Sequence, residues 1–186
     1  MSKSDGGFVK ITGGMFKGQK IKTPGGNTHP MGERERIALF NMISDCIEGN
    51  YVMDLYCGGG TLAIEALSRG ARWAFGIDIS ANAVDTMNDN LKKLGLLGVP
   101  GLFGGGAIQA DIPKVARTAT DRYGIVIADP PYDKYDEKMV KYLPRLVLDG
   151  GILVLSHPGE APELRGVELL KTKKYANAHI SIYIKN

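Results

Sequence analysis

From residue 51 onward the chain alternates short apolar runs with longer amphipathic ones, and this alternation restricts its fold more than any other feature. Residues 51–56, 73–78, 107–110, 123–129 and 151–156 read as strands; residues 61–68, 80–94, 112–120 and 136–148 between them read as helices. Ile125-Val126-Ile127-Ala128 is apolar at every position, as expected of a strand covered on both faces. Repeated βα units of this kind build a parallel sheet with helices on either side. Residues 167–173 and 178–184 follow one another with only Lys174-Tyr175-Ala176-Asn177 between them, so the chain ends on a hairpin that adds an antiparallel edge. The expected fold is α/β and doubly wound, with a mainly parallel seven-stranded sheet whose last strand is antiparallel. Residues 95–106, which hold six glycines, read as a loop.

Open α/β sheets bind ligands at the carboxyl ends of their strands. There the chain carries Asp129-Pro130-Pro131-Tyr132, directly after the apolar run. Pro131 has no N–H, and each proline holds the residue before it extended. The backbone leaves the sheet stiff, with carbonyl oxygens free to face a ligand. Asp129 and a proline carbonyl can accept hydrogen bonds from an –NH2 group, and Tyr132 offers a flat face. This suits a planar molecule with an exocyclic amine, such as a nucleobase; the plainer alternative is a Pro-Pro turn with a surface tyrosine.

The first strand of the alternating region runs into Asp54-Leu55-Tyr56-Cys57-Gly58-Gly59-Gly60-Thr61-Leu62-Ala63, a glycine turn ahead of a helix. Such turns let the backbone approach a ligand, and the helix adds N–H groups. Gly58-x-Gly60-x-x-Ala63 formally fits a dinucleotide fingerprint, so NAD stays open on this motif. Asp54 just ahead of the glycines is better placed for an ammonium than for a pyrophosphate, which favours a cationic cofactor such as S-adenosylmethionine. Asp78 ends the next strand 18 residues after Gly60, near the spacing of a ribose-binding acid. Ser80 can cap the helix that follows, which frees Asp78 for a ligand. Asp111, after the third strand, is placed to meet an adenine amine. Cys57 reads as a small buried side chain rather than a nucleophile.

Charge is unevenly placed. Residues 1–36 hold seven cationic side chains against three acids, while the other 150 residues sum to −1. Within residues 8–30, which are rich in Gly, Lys, Thr and Pro, residues 8–12 and 19–23 alternate polar and apolar as a small hairpin, and 33–47 read as a helix with Ala38, Leu39, Met42, Ile43 and Cys46 on one face. The chain thus divides into a basic extension, 1–32, and a body, 33–186. A basic segment ahead of a near-neutral body fits a phosphate-binding arm. The two cysteines make neither a disulfide framework nor a metal spacing, no apolar run is long enough to span a bilayer, and the first residues lack the apolar core of a signal peptide. A reducing, cytoplasmic location is expected.

Taken together, these strand-end residues resemble the S-adenosylmethionine-dependent methyltransferases with a Rossmann-like, class I sheet, whose amino-methylating members carry an Asn/Asp-Pro-Pro-Tyr/Phe motif. A closer resemblance is to the bacterial RsmD-type 16S rRNA guanine-N2 methyltransferases. It rests on Gly13 through Pro24, on Pro30 through Asn41 with Leu39-Phe40-Asn41, and on Ile64 through Ala71. His29 and Ile37 stand where that family usually has Arg and Glu, and Cys57 and Gly59 replace its common Ala and Ser. The resemblance implies methyl transfer from S-adenosylmethionine to the N2 amine of a guanine in 16S rRNA. Asp129, Pro130, Pro131 and Tyr132 would form the catalytic segment. Asp54, Tyr56, Gly58, Gly60, Asp78, Ile79 and Asp111 would hold the cofactor, and Lys17, Lys20, Lys22, Arg34 and Arg36 the RNA. A metal-free monomer acting on rRNA or an assembling small subunit is implied. Methylation of an adenine or cytosine amine, and a non-catalytic rRNA-binding assembly factor, are the alternatives.

Overall fold

Nine strands and five α-helices follow one another in the computed structural model, which describes residues 6–26, 30–98, 103–175 and 178–186. Lys3, Asp5, His29, residues 99–102 of the glycine-rich stretch and residues 176 and 177 of the terminal turn lie outside the described residues.

The basic segment forms a hairpin of β1 (Phe8–Lys10) and β2 (Lys20–Lys22), with Val9 opposite Ile21. Helix α1 (Glu33–Met42) follows. It stops five residues earlier than the apolar spacing predicts. Ser44 bonds locally to Asn41 O and Asp45 Oδ1, and a 3-10 turn at Ser44–Cys46 takes over. The alternating region then gives β3 (Tyr51–Leu55), α2 (Thr61–Ser68), β4 (Trp73–Asp78), α3 (Ala81–Lys93), β5 (Gly104–Gln109), α4 (Ile112–Thr118) and β6 (Tyr123–Ala128).

β5 begins three residues before the expected strand, so Gly104, Gly105 and Gly106 belong to the sheet and not to a loop. Packing is the reason: a Cβ on Gly105 would lie 2.5 Å from Ala74 O and 3.3 Å from Leu67 Cδ1. The helix expected over 136–148 is also mostly absent. Helix α5 covers only Glu137–Val140; Pro144 sits in a 3-10 turn at Leu143–Leu146; and Val147 already pairs with Tyr123 in β7 (Val147–His157).

The seven-stranded sheet has the order β5-β4-β3-β6-β7-β9-β8, where β8 is Glu168–Lys174 and β9 is His179–Ile184. β5, β4, β3, β6 and β7 are parallel neighbours. The last strand, β9, is antiparallel, but it lies between β7 and β8 rather than at the sheet edge.

Alternation along the strands sends side chains to two cores. Val52, Ile125, Ile127 and Val154 pack with Leu39, Phe40, Leu67 and Met87 on one face. Met53, Leu55, Val126 and Leu153 pack with Ile112, Met139 and Leu146 on the other. The hairpin joins the first core through Ile11 and Ile21. No helix among the described residues is long and apolar enough to cross a membrane.

Candidate active site

Because β3 lies between β4 and β6, and β6 beside β7, the carboxyl ends of four parallel strands are neighbours. Asp54, Asp78, Asp129 and Ser156 stand at those ends and line one cleft of about 830 Å³. Tyr56, Gly58, Ile79, Pro130, Pro131 and Tyr132 line it too.

One half of the cleft is built on backbone. Tyr56 is the one described non-glycine residue with positive φ, at 66°, and Gly58 and Gly60 follow at 52° and 81°. A tyrosine held in this region stores strain, which marks a turn fixed by its surroundings. The fixing bonds are visible. Asp78 Oδ2 accepts from Gly58 N at 2.9 Å and its Oδ1 from Ser80 N at 2.9 Å. Asn90 donates to Gly59 O at 2.9 Å and Lys22 O at 2.8 Å, and accepts from Lys22 N at 2.9 Å. Ser80, not Asp78, caps α3 by accepting from Ala83 N. A Cβ on Gly58 would meet nothing within 4 Å, so the turn faces open space.

Asp54 is 1% exposed. Its Oδ2 accepts from Ala63 N at 3.0 Å, while its Oδ1 is buried without a partner. Burial raises this carboxyl to about 8, opposed by the Ala63 hydrogen bond and reinforced by the charges of Asp129 and Asp78. A buried acceptor without a donor, lining a cleft, fits a ligand that brings a cationic donor. S-adenosylmethionine carries an ammonium for Asp54 and a ribose diol within the reach expected of Asp78. It also has an adenine that Ile79, 59% exposed at the cleft, can cover. The residues present fit this cofactor. Cys57 is buried and its thiol is pushed far up by burial, so it is no nucleophile.

The other half follows β6. Asp129 is half-buried, and burial raises its carboxyl to about 6, with a Ser156 hydrogen bond opposing and the Glu35 charge adding to the rise. Ser156 Oγ also lies 3.0 Å from Tyr132 Oη. One buried serine on β7 therefore holds the ring and lies beside the acid. Tyr132 is 40% exposed, which leaves a face for a planar group. A carboxylate, an extended Pro-Pro carbonyl path and an aromatic face beside the cofactor half can bind an amine and aim it at an electrophile.

Two of the residues predicted to act here are placed otherwise. Arg36 is 2% exposed; Nη1 donates to Met31 O and Nη2 to Lys10 O, each at 2.8 Å. It ties the hairpin to α1 and is not available to RNA. Asp111 does not line the cleft; its Oδ1 caps α4 by accepting from Lys114 N at 2.7 Å. Lys17, Lys20, Lys22 and Arg34 are exposed.

Sequence reasoning missed Ser156 and Glu35. Ser156 had a signal, since it is the polar end of the next parallel strand. Glu35, half-buried on the first turn of α1, enters the cleft from outside the βα pattern and had none. Among the described residues no group of three or more His, Cys, Asp or Glu is placed to hold a metal.

A protein of Bacillus subtilis (strain 168), YlbH, provisionally named an rRNA methyltransferase, is 31% identical over 185 residues, covering 95% of this chain and 99% of its own. Ribosomal RNA small subunit methyltransferase D of Buchnera aphidicola is 29% identical over 126 residues, 67% of this chain and 63% of the other. A solved structure from Escherichia coli, provisionally named methyltransferase yhhF, superposes with a TM-score of 0.84 at 22% identity, covering 97% of this chain and 99% of that one. The family model described as Conserved hypothetical protein 95 matches residues 9–184. The chain belongs to that family, which is the family of the RsmD-type methyltransferases.

Proposed function

We propose that this protein is an rRNA methyltransferase that moves a methyl group from S-adenosylmethionine to the exocyclic N2 amine of a guanine in 16S rRNA. The observation that carries the reading is the Asp129–Ser156–Tyr132 cluster, set in the same cleft as Asp54, Asp78 and Gly58. S-adenosylmethionine is the methyl donor and supplies an electrophilic methyl carbon. The chain's own residues do the rest.

A guanine amine is a poor nucleophile because its lone pair is delocalised into the ring. The Asp129 carboxylate and the Pro130 carbonyl accept the two amine hydrogens. This turns the lone pair toward the cofactor half and favours positive charge on nitrogen as the new C–N bond forms and the methyl–sulfur bond breaks, its electron pair staying on the sulfur of the departing S-adenosylhomocysteine. The proton that nitrogen then releases passes to Asp129. Tyr132 stacks on the extruded base, worth roughly 1–3 kcal/mol, and Ser156 keeps ring and acid in mutual register.

The hairpin supports the rRNA part of the reading. Ile21 faces the core while Phe8, Lys10, Lys20 and Lys22 are exposed, with Phe8 opposite Lys22 and Lys10 opposite Lys20. Phosphates can lie along such a face, and Lys17 and Arg34 are exposed cations of the same segment and of α1. These contacts set orientation and carry little base information. The test is mass spectrometry of nucleosides from 16S rRNA incubated with the protein and S-adenosylmethionine. N2-methylguanosine is the expected product. A methylated adenosine or cytidine, or no methylation despite cofactor binding, overturns the reading.

A further inference from the structure

The Asp129-Pro130 segment reads an amine, and every amine-bearing base has one. It does not by itself separate guanine from adenine or cytosine. The bases differ at the ring nitrogen beside the amine: guanine N1 carries a hydrogen and donates, whereas adenine N1 and cytosine N3 accept. A guanine pocket therefore needs one more acceptor next to those that hold the amine.

Glu35 is a further acceptor in the same cleft. It lies on α1 and lines the cleft together with Asp129, Pro130 and Tyr132. Its carboxylate bends back over Gly32, where a Cβ would collide with Oε2 at 2.0 Å. No described residue donates a hydrogen bond or forms an ion pair with it. It is close enough that its charge helps raise both Asp129 and Tyr132. Arg36, whose guanidinium feels the Glu35 charge, donates instead to Met31 O and Lys10 O, which leaves the Glu35 oxygens open to a ligand's donors. The Watson–Crick edge of guanine brings three N–H hydrogens in a row, one on N1 and two on N2.

We propose that Glu35 selects guanine by accepting the N1 hydrogen while Asp129 and the Pro130 carbonyl hold the N2 amine. Adenine and cytosine would turn a ring-nitrogen lone pair toward this carboxylate, and that repulsion excludes them. The assignment rests on the guanine-N2 reading above.

The test uses the full protein and 16S rRNA ligated to carry either guanosine or 2-aminopurine riboside at the nucleotide mapped by mass spectrometry. 2-Aminopurine keeps the N2 amine but its N1 accepts. Wild type is expected to favour guanosine in kcat/KM. Glu35→Gln is expected to lose about 10- to 100-fold on guanosine, and to narrow or invert the preference, because the new amide can donate to N1 of 2-aminopurine. Comparing the ratio between the two enzymes cancels the absence of O6 in the analogue. Glu35→Met should lose guanosine activity with no gain on the analogue. Unchanged cofactor affinity in calorimetry confirms that each variant is folded. If wild type methylates guanosine and the ratio is the same in Glu35→Gln, Glu35 is not the selector and the guanine reading stands. If wild type does not methylate guanosine at all, both readings fall.

Discussion

Asp78 Oδ2 accepts a hydrogen bond from the Gly58 amide at 2.9 Å, so the acid that ends β4 also holds the glycine turn that follows β3. The same carboxylate is expected to meet the ribose diol. Asp78→Ala should therefore weaken S-adenosylmethionine binding by about 1.5–3 kcal/mol for each charged hydrogen bond removed. It should also lower stability by about 1 kcal/mol for each of the Gly58 and Ser80 amides left without its acceptor. Calorimetry and chemical denaturation measure the two effects separately. Stability loss with unchanged cofactor affinity would make Asp78 a loop anchor only.

Asp54 gives a prediction about protons. Its carboxyl is raised to about 8 by burial, so at pH 7 it is mostly protonated before the cofactor binds. An ammonium beside Oδ1 favours the carboxylate and lowers that value. Binding at pH 7 should then release a proton, and affinity should rise with pH up to about 8 and level off above it. Calorimetry in buffers of different ionisation heat reads the proton directly. Asp54→Asn should bind more weakly and release none; proton release that persists in this variant assigns the proton elsewhere.

The sheet, its strand ends and the residues on them were legible because both come from local pattern. An all-apolar run marks a doubly covered strand, and the polar residue that stops it marks the ligand side. What stayed hidden depends on packing between distant segments. Gly104 to Gly106 look like a loop until Leu67 and the Ala74 carbonyl are seen to leave no room for a Cβ. Arg36 looks like part of a basic arm until Met31 O and Lys10 O close around it. Glu35 is one more acid on the first turn of α1 until it is seen among the residues that line the cleft.

The buried and exposed cations of the amino-terminal segment should behave oppositely. Replacing Lys17, Lys20 and Lys22 by alanine should weaken RNA binding evenly across sequences. Its salt dependence should also become shallower, by about 0.7–0.9 in slope for each phosphate no longer neutralised. Stability and cofactor affinity should not change. Arg36→Ala should instead destabilise the fold, by roughly 1–3 kcal/mol for each carbonyl left unpaired, with the salt slope of the remaining folded protein preserved. Filter binding over a salt series, set beside thermal denaturation, separates the two. A triple variant with the wild-type slope would leave these lysines as solvated surface.

Asp129 separates an enzyme from a protein that merely binds rRNA. On the proposed function its carboxylate meets the substrate amine, and that interaction is expected to strengthen as the nitrogen becomes positive. Contributions of that kind appear in turnover rather than in binding. Asp129→Ala should cut kcat by about 10²–10³-fold, as for other groups that stabilise charge forming in the transition state, while cofactor and RNA affinity change far less. The pH profile carries an independent sign. Burial raises Asp129 to about 6 in the free protein, so the carboxylate form fills as pH rises through that value, and kcat/KM for RNA should rise through about 6 and then plateau. Asp129→Asn keeps a carbonyl acceptor but cannot titrate, so its smaller kcat/KM should lose this limb. Tyr132→Phe keeps the ring and loses only the hydroxyl that meets Ser156 at 3.0 Å. It should cost less than Tyr132→Ala, which loses base capture together with rate because stacking already acts in the bound complex. Near wild-type turnover of Asp129→Ala at saturating RNA and cofactor would remove Asp129 from the chemistry.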